Sequence, residues 1–290
     1  MSKIIVLGGG ESGVGAALLA KSKGFDVFLS DQGALKEAFK KTLSDHNIRF
    51  EEGQHTLEEI LSANEVIISP GIPEKNEVVK KIKEKQIPLI SEIEFAVRYT
   101  SAKIIAITGS NGKTTTTLLT YHLLKEAGYR VGLAGNIGQS FAKQVLDNSH
   151  EYYVLEISSF QLDRCISFSP DVAILLNITP DHLDRYEYKF ENYIASKFRI
   201  FQNADLTKTC IFWEDDEVIQ ANKKGIPSSH FSTISSKNNH SDAFISADKI
   251  TLKTGEIDLA TAPIQGPHNA INMSAAILAA QSVGISLDKI

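Results

Sequence analysis

Two rhythms of apolar and polar positions alternate along this chain. The runs KIIVLG, FDVFLSD, EVIISP and IPLIS are short, almost wholly apolar, and bounded by Gly, Ser, Pro or Asp. Such runs predict strands buried on both faces. Between them, ALKEAFKKTLSDH and EKNEVVKKIKEK repeat apolar residues at three and four, which predicts helices. Strands alternating with helices build a parallel sheet with right-handed crossovers. Near residue 100 the rhythm starts again, with KIIAITG, RVGLAG, YYVLEIS and DVAILLNIT as strands. The stretch after GSNGKTTTT and the stretch YKFENYIASKFRIFQN are its clearest helices. After Phe212 the pattern loosens, and KNNHSDAFISADKITLKTGEIDL predicts hairpins and loops before a closing helix, HNAINMSAAILAAQSVG. The polar stretch RYTSAK separates the halves, so the expected organisation is two α/β domains, residues 1–99 and 100–290, without a short internal repeat.

Composition narrows the class. At 290 residues, 42% hydrophobic and 22% charged, the chain can bury two sizeable cores. A formal charge of -5 with no long basic run argues against a nucleic-acid partner. Two cysteines, Cys165 and Cys210, imply no disulfide framework and a reducing compartment. The first apolar run breaks at glycines too early for a signal sequence or a membrane span, so no membrane insertion is expected. A cytoplasmic enzyme is the expected class.

Two glycine loops carry candidate chemistry. Gly8, Gly10 and Gly13 fit G-x-G-x-x-G after the first strand, and Asp31 ends the next one. Taken alone, that spacing predicts a dinucleotide site and an NAD-dependent oxidoreductase. The second loop, ITGSNGKTTTT, differs. Gly109 and Gly112 let backbone N–H groups face one point, Lys113 adds a cation for β- and γ-phosphates, and Thr114 offers a hydroxyl to Mg²⁺. The strict P-loop pattern wants glycine at 107, where Ile107 stands, so this is a shorter cradle. The alternative, a tight turn with an exposed lysine, leaves Gly-Lys-Thr between strand and helix without a purpose. ATP is the expected ligand.

Acids close two later strands. Glu156 follows YYVL, and Asp181, His182 and Asp184 follow DVAILLNIT. Ligands of a parallel sheet gather beyond the carboxyl ends of its strands, so Thr114, Glu156 and His182 are expected to converge around Mg²⁺ and phosphate. His182 could equally cap a helix beside Asp181, and Glu156 could be a surface acid. Lys197, in NYIASKFRIF, looks locally like a solvated helix lysine.

Together these pieces resemble the Mur ligase family. The carriers are TGSNGKTTT, GNIG at 135–138, LEISSFQL, NITPDHLDRY, the lysine of ASKFRIF, GPHNAINMSAA, SPGIP near residue 70, and the first glycine loop. EISSFQL with DHLDRY is far more specific than either loop, and the resemblance covers the entire chain. It implies a Rossmann-like N-terminal domain that binds uridine diphosphate, followed by a central P-loop ATPase-type domain. Ser12 and Gly13 would then lie near the pyrophosphate and Asp31 near uracil, with Gly71 approaching the phosphates. Asn136 and His182 would reach the substrate from the central domain. The ATP set implied is Gly109, Ser110, Asn111, Gly112, Lys113, Thr114, Thr115, Asn269 and Asn272, the last two on one helix face by their i, i+3 spacing. The alternative for Asn269 is capping of the helix start.

The resemblance also implies a reaction. Its closest agreement is with the branch that joins D-glutamate to UDP-N-acetylmuramoyl-L-alanine through an acyl phosphate, a step of peptidoglycan synthesis. Lys113, His182 and Lys197 are the implied catalytic residues. Two Mg²⁺ ions are implied, with Thr114, Glu156, His182 and Lys197 as ligands, Lys197 carrying a CO₂-derived carbamate. Family members continue into a third, C-terminal Rossmann-like domain that holds the D-glutamate contacts. The chain is therefore expected to be a truncated form that binds UDP-substrate and nucleotide without completing ligation, and the full-length protein to be a monomer. Rival expectations are a sibling amino-acid ligase, an oxidoreductase on the first loop, and a non-catalytic nucleotide-binding module.

Overall fold

The computed structural model describes residues 2–226 and 230–290. The first elements are β1 (Lys3–Leu7), α1 (Glu11–Ser22), β2 (Asp26–Asp31), α2 (Glu37–Asp45), β3 (Arg49–Glu52), α3 (Leu57–Ile60), β4 (Glu65–Ile68), α4 (Glu77–Glu84), β5 (Leu89–Ser91) and α5 (Glu92–Val97). Then come β6 (Lys103–Thr108), α6 (Lys113–Glu126), β7 (Val131–Gly135), α7 (Phe141–Asp147), β8 (Tyr152–Glu156), α8 (Ser159–Leu162), β9 (Val172–Leu175) and α9 (Phe190–Phe198). The last are β10 (Thr209–Trp213), α10 (Glu217–Asn222), β11 (His230–Ser235), β12 (Ala243–Ile245), β13 (Lys249–Leu252), β14 (Gly255–Asp258) and α11 (Pro267–Ser282). They form two compact units. One is Met1–Ser101 with Gly138–Ser149 and Phe160–Phe168, and the other is Ala102–Ile137, His150–Ser159 and Ser169–Ile290.

In the first unit the strand order is β3-β2-β1-β4-β5, parallel throughout. The chain reverses direction across the sheet between β1 and β4, and their carboxyl ends flank the crevice where such sheets take ligands. Ile5, Leu7, Val66, Ile68, Val79 and Ile82 fill one side of the core. β3, reading RFEE, is a half-exposed edge strand with no apolar run to announce it. α5 was equally hidden. Its Glu92 and Glu94 look like surface acids but are 3% and 1% exposed. Glu94 accepts the N–H groups of Ile166, Ser167 and Phe168 and the Ser167 hydroxyl. Glu92 accepts the Ser140 hydroxyl and the Ala142 N–H. Two buried carboxylates thus secure the two segments that return to this unit from later in the chain.

In the second unit the described residues form a sheet ordered β14-β13-β12-β11-β10-β9-β6-β8-β7. It is parallel from β7 to β12 and antiparallel across β12, β13 and β14. The antiparallel end is the hairpin region expected from the sequence. β6 is an interior strand between β9 and β8, so the loop after it opens on the carboxyl edge with a parallel strand on either side. α6 and α11 pack against each other, and Thr116, Thr117, Ser274 and Ala275, all fully buried, are small enough to permit close contact. No helix among the described residues is long and apolar enough to cross a membrane.

Candidate active site

In the first unit, the β1 loop runs into α1, whose first turn carries the half-buried Ser12. A Cβ on Gly13 would stand 1.8 Å from the Gly8 carbonyl oxygen, so the helix can approach the strand only with glycine there. A Cβ on Gly10 would meet nothing within 4 Å, which leaves the loop mouth roomy enough for a ligand. Asp31 accepts the Gly9 N–H on one oxygen and the Gly33 N–H, at 2.7 Å, on the other. Besides any ligand role, it braces the glycine loop. Gly71 lies exposed in the turn after β4, and the Ser69 hydroxyl of that turn donates to the Gly8 carbonyl at 3.3 Å.

In the second unit, Gly112 caps α6 with φ +83°, a left-handed conformation that glycine adopts freely. A Cβ there would stand 2.3 Å from Asn272 Oδ1, so its absence lets α11 bring that asparagine to the loop. Asn272 is buried and donates to Asn269 Oδ1 at 3.3 Å, while Asn269 donates to the Gln265 carbonyl at 2.9 Å. Both asparagines stand on the expected face at the start of α11. Thr115 is half-buried on the first turn of α6. The loop is moulded from outside. Ser110 N–H donates to the Asn177 carbonyl, and Asn111 N–H and carbonyl pair with the Asn177 side-chain amide at 2.8 and 3.0 Å. Ser110 Oγ donates to the Thr179 carbonyl, accepts the Thr179 N–H, and lies 3.1 Å from the Tyr193 hydroxyl. Asn177, Thr179 and Tyr193 were given no role from the sequence, although Asn177 and Thr179 lie inside the motif NITPDHLDRY. Their signal was their place after the neighbouring strand.

Lys113 folds back on its own loop, donating to the Gly109 and Ser110 carbonyls at 2.8 and 2.9 Å. Burial pushes its ammonium below the ordinary lysine value, against the pull of Glu156 and Asp181. Beside it, the Thr114 hydroxyl donates to Glu156 Oε2 at 2.8 Å, and the Asn136 amide donates to Oε1 at 2.8 Å. Glu156 is 2% exposed, so the surface-acid alternative fails. Asn136 gains a role the sequence did not suggest, fixing the orientation of that carboxylate.

Lys197 is also 2% exposed and donates to the Gly109 carbonyl at 2.9 Å. Its Nζ stands 4.8 Å from the centre of the Tyr193 ring. It is a core residue of the loop, not a solvated lysine. Two lysine ammonium groups therefore meet one carbonyl oxygen. His182 lies elsewhere on this edge, on an exposed turn with φ +49°, its Nε2 3.5 Å from Asp181 Oδ2. Thr114, Asn136 and Glu156 are joined by hydrogen bonds, and the His182 ring lies against Asp181. Among the described residues no group of three or more His, Cys, Asp and Glu side chains is arranged for a metal. The Thr114 hydroxyl and Glu156 carboxylate are nonetheless hard oxygen donors side by side. They suit Mg²⁺, which takes most of its ligands from phosphate and water.

A lysine-bearing glycine loop after an interior parallel strand, with a threonine and a buried acid beside it, defines a P-loop-type α/β protein. The chain belongs to the Mur ligase family: residues 107–280 match the Mur ligase middle domain and residues 3–78 the MurD N-terminal domain. A UDP-N-acetylmuramoylalanine–D-glutamate ligase from Cytophaga hutchinsonii is 52% identical over 99% of this chain and 66% of its own length. One of the same name from Bacteroides fragilis is 49% identical over 100% of this chain and 66% of its own. The chain thus spans just under two thirds of these relatives. Among solved structures, a UDP-N-acetylmuramate:L-alanyl-gamma-D-glutamyl-meso-diaminopimelate ligase from Neisseria meningitides superposes with a TM-score of 0.66 at 22% identity, covering 99% of this chain and 95% of that one. A UDP-N-acetylmuramate-alanine ligase from Thermotoga maritima gives 0.59 at 22% identity, covering 100% and 67%. At that identity they speak for the fold.

Proposed function

We propose that this chain is the substrate- and ATP-binding part of an ATP-dependent ligase that joins D-glutamate to UDP-N-acetylmuramoyl-L-alanine. The observation that carries the reading is the Lys113 loop with Thr114 and the Asn136-oriented Glu156 at its side. The name shared by the curated relatives supports the choice of amino acid. In this reading residues 1–99 hold the uridine diphosphate, through Ser12, Gly13, Asp31 and Gly71, and residues 100–290 hold ATP. A cytoplasmic location follows from the need for ATP.

The chemical difficulty is electrostatic. A substrate carboxylate must approach the γ-phosphate, and at ~4 Å two unit charges repel by roughly 4 kcal/mol in a medium of effective dielectric about 20. Lys113 leaves the Gly109 and Ser110 carbonyls for the phosphates and offsets that repulsion. A carboxylate oxygen attacks the γ-phosphorus and ADP departs. The amine nitrogen then attacks the acyl carbon, loses a proton, and expels phosphate carrying the original carboxylate oxygen. Mg²⁺ held near Thr114 and Glu156 would supply charge neutralisation. Lys197 is proposed to carry a carbamate, formed as its neutral amine adds to CO₂ and releases a proton. Its nitrogen keeps one hydrogen for the Gly109 carbonyl, and its new carboxylate adds a hard oxygen donor.

The test is oxygen transfer in a protein spanning the relatives' full length. With both oxygens of the substrate carboxylate ¹⁸O-labelled, one label per amide formed should appear in inorganic phosphate. Unlabelled phosphate accompanying amide formation would contradict the acyl phosphate. NAD binding in preference to uridine nucleotides would favour the oxidoreductase instead.

A further inference from the structure

At the carboxyl ends of β2 and β3, Ser30, Glu51 and His55 form a hydrogen-bonded chain that nothing above uses. Ser30 is fully buried, and its Oγ lies 2.6 Å from Glu51 Oε1 and 2.6 Å from His55 Nδ1. A hydroxyl has one proton and can donate to only one of them. Glu51 also accepts the Thr56 N–H at 2.8 Å, the Thr56 hydroxyl at 2.6 Å and the Gln54 amide at 3.3 Å. Burial pushes its carboxyl up, but the hydrogen bonds from Ser30, Thr56 and Gln54 outweigh burial and hold it below its ordinary range. Glu51 is therefore ionised at neutral pH and has no proton to give. A 2.6 Å approach between its oxygen and Ser30 Oγ needs the serine proton, and the Gln54 carbonyl, 3.5 Å from Ser30 Oγ, is too far to compete.

With that proton committed to Glu51, Ser30 Oγ can only accept from the ring, so the hydrogen of His55 sits on Nδ1. Burial lowers the His55 pKa, against the pull of Glu51 and Asp31, which keeps the ring neutral. Nε2 is left as a lone-pair acceptor on a half-buried side chain. Its electrostatic neighbour Asp31 is the residue that braces the first glycine loop. The end of the second strand is where sheets of this type meet the nucleoside of a bound nucleotide.

We infer that His55 Nε2 accepts a hydrogen bond from the nucleoside of the ligand held by the first unit. The donor is either the uracil imide N–H or the ribose 2′-hydroxyl. This rests on the uridine-handle reading above. It would give the site a chemical reason to prefer uracil to cytosine, whose ring nitrogen at that position offers a lone pair instead of a hydrogen.

Calorimetry on this chain with UDP, CDP and 2′-deoxy-UDP, together with ¹⁵N NMR of the His55 ring, tests it. The expected ring is protonated on Nδ1 in the unmodified protein and shifts toward Nε2 protonation in Ser30→Ala. UDP should bind about tenfold tighter than CDP, or than 2′-deoxy-UDP, according to which group donates, and His55→Phe should erase that margin. Failure of the unmodified protein to bind UDP would overturn the uridine reading and this inference with it. UDP binding with the same discrimination in His55→Phe, or an Nε2-protonated ring in the unmodified protein, would overturn the inference alone.

Discussion

At the scale of single residues, the loop depends on Gly112 and on the lysine beneath it. Gly112→Ala forces a Cβ into a left-handed backbone and toward Asn272 Oδ1. It should cost about 1–3 kcal/mol, read as a lower denaturation midpoint, and weaken nucleotide binding together with it. An unchanged midpoint would contradict the tight fit. Lys197→Ala should nearly abolish ligation in the full-length protein, with partial recovery in added acetate, because a small carboxylate can replace the missing anion. Full activity without acetate would refute the carbamate. Much of this site was legible in the sequence. Gly-Lys-Thr after a strand and Glu156 at a strand end need only the rule that ligands meet the carboxyl edge. Burial of Lys197 was not legible, because a lysine within a helix carries no local mark of what packs over it. Nor was the Asn177 and Thr179 clamp, whose meaning depends on which strand lies beside β6.

At the scale of elements, α5 holds its unit together through acids. Burial raises the Glu92 carboxyl to about 7, despite the opposing hydrogen bonds from Ser140, Ala142 and Phe141. Because the folded value exceeds the unfolded one, stability from this group is full below about pH 4.5 and falls as pH rises to about 7, where it levels. The loss amounts to about 3 kcal/mol, an order-of-magnitude figure. Unfolding free energy measured from pH 4.5 to 8 should decline by that much more in the unmodified protein than in Glu92→Gln; parallel curves would contradict it. Most strands of the parallel cores announced themselves by apolar rhythm, and the helices α6 and α11 were also expected. β10 and β11, where the pattern loosens around Phe212, were not read as strands, and β3, α5 and α7 were missed as well. β3 is a polar edge, α5 hides its acids, and α7 is too short for periodicity to declare it.

For the whole molecule, sequence order and spatial order part company. A reading along the chain sees one boundary near residue 100, while residues 138–149 and 160–168 belong with the first unit. Only partners distant in sequence, Glu92 for one segment and Glu94 for the other, reveal that return. Each unit carries its own glycine loop, the first proposed to hold a uridine handle and the second ATP. The most direct measurement is a crystal structure of this chain with UDP-N-acetylmuramoyl-L-alanine, a non-hydrolysable ATP analogue and Mg²⁺. The expected density has uridine diphosphate against Gly8–Gly13, the triphosphate over Gly109–Thr114 with the Lys113 Nζ turned onto it, and a cation between Thr114 and Glu156. A triphosphate bound elsewhere, with Lys113 still on the Gly109 carbonyl, would contradict the account.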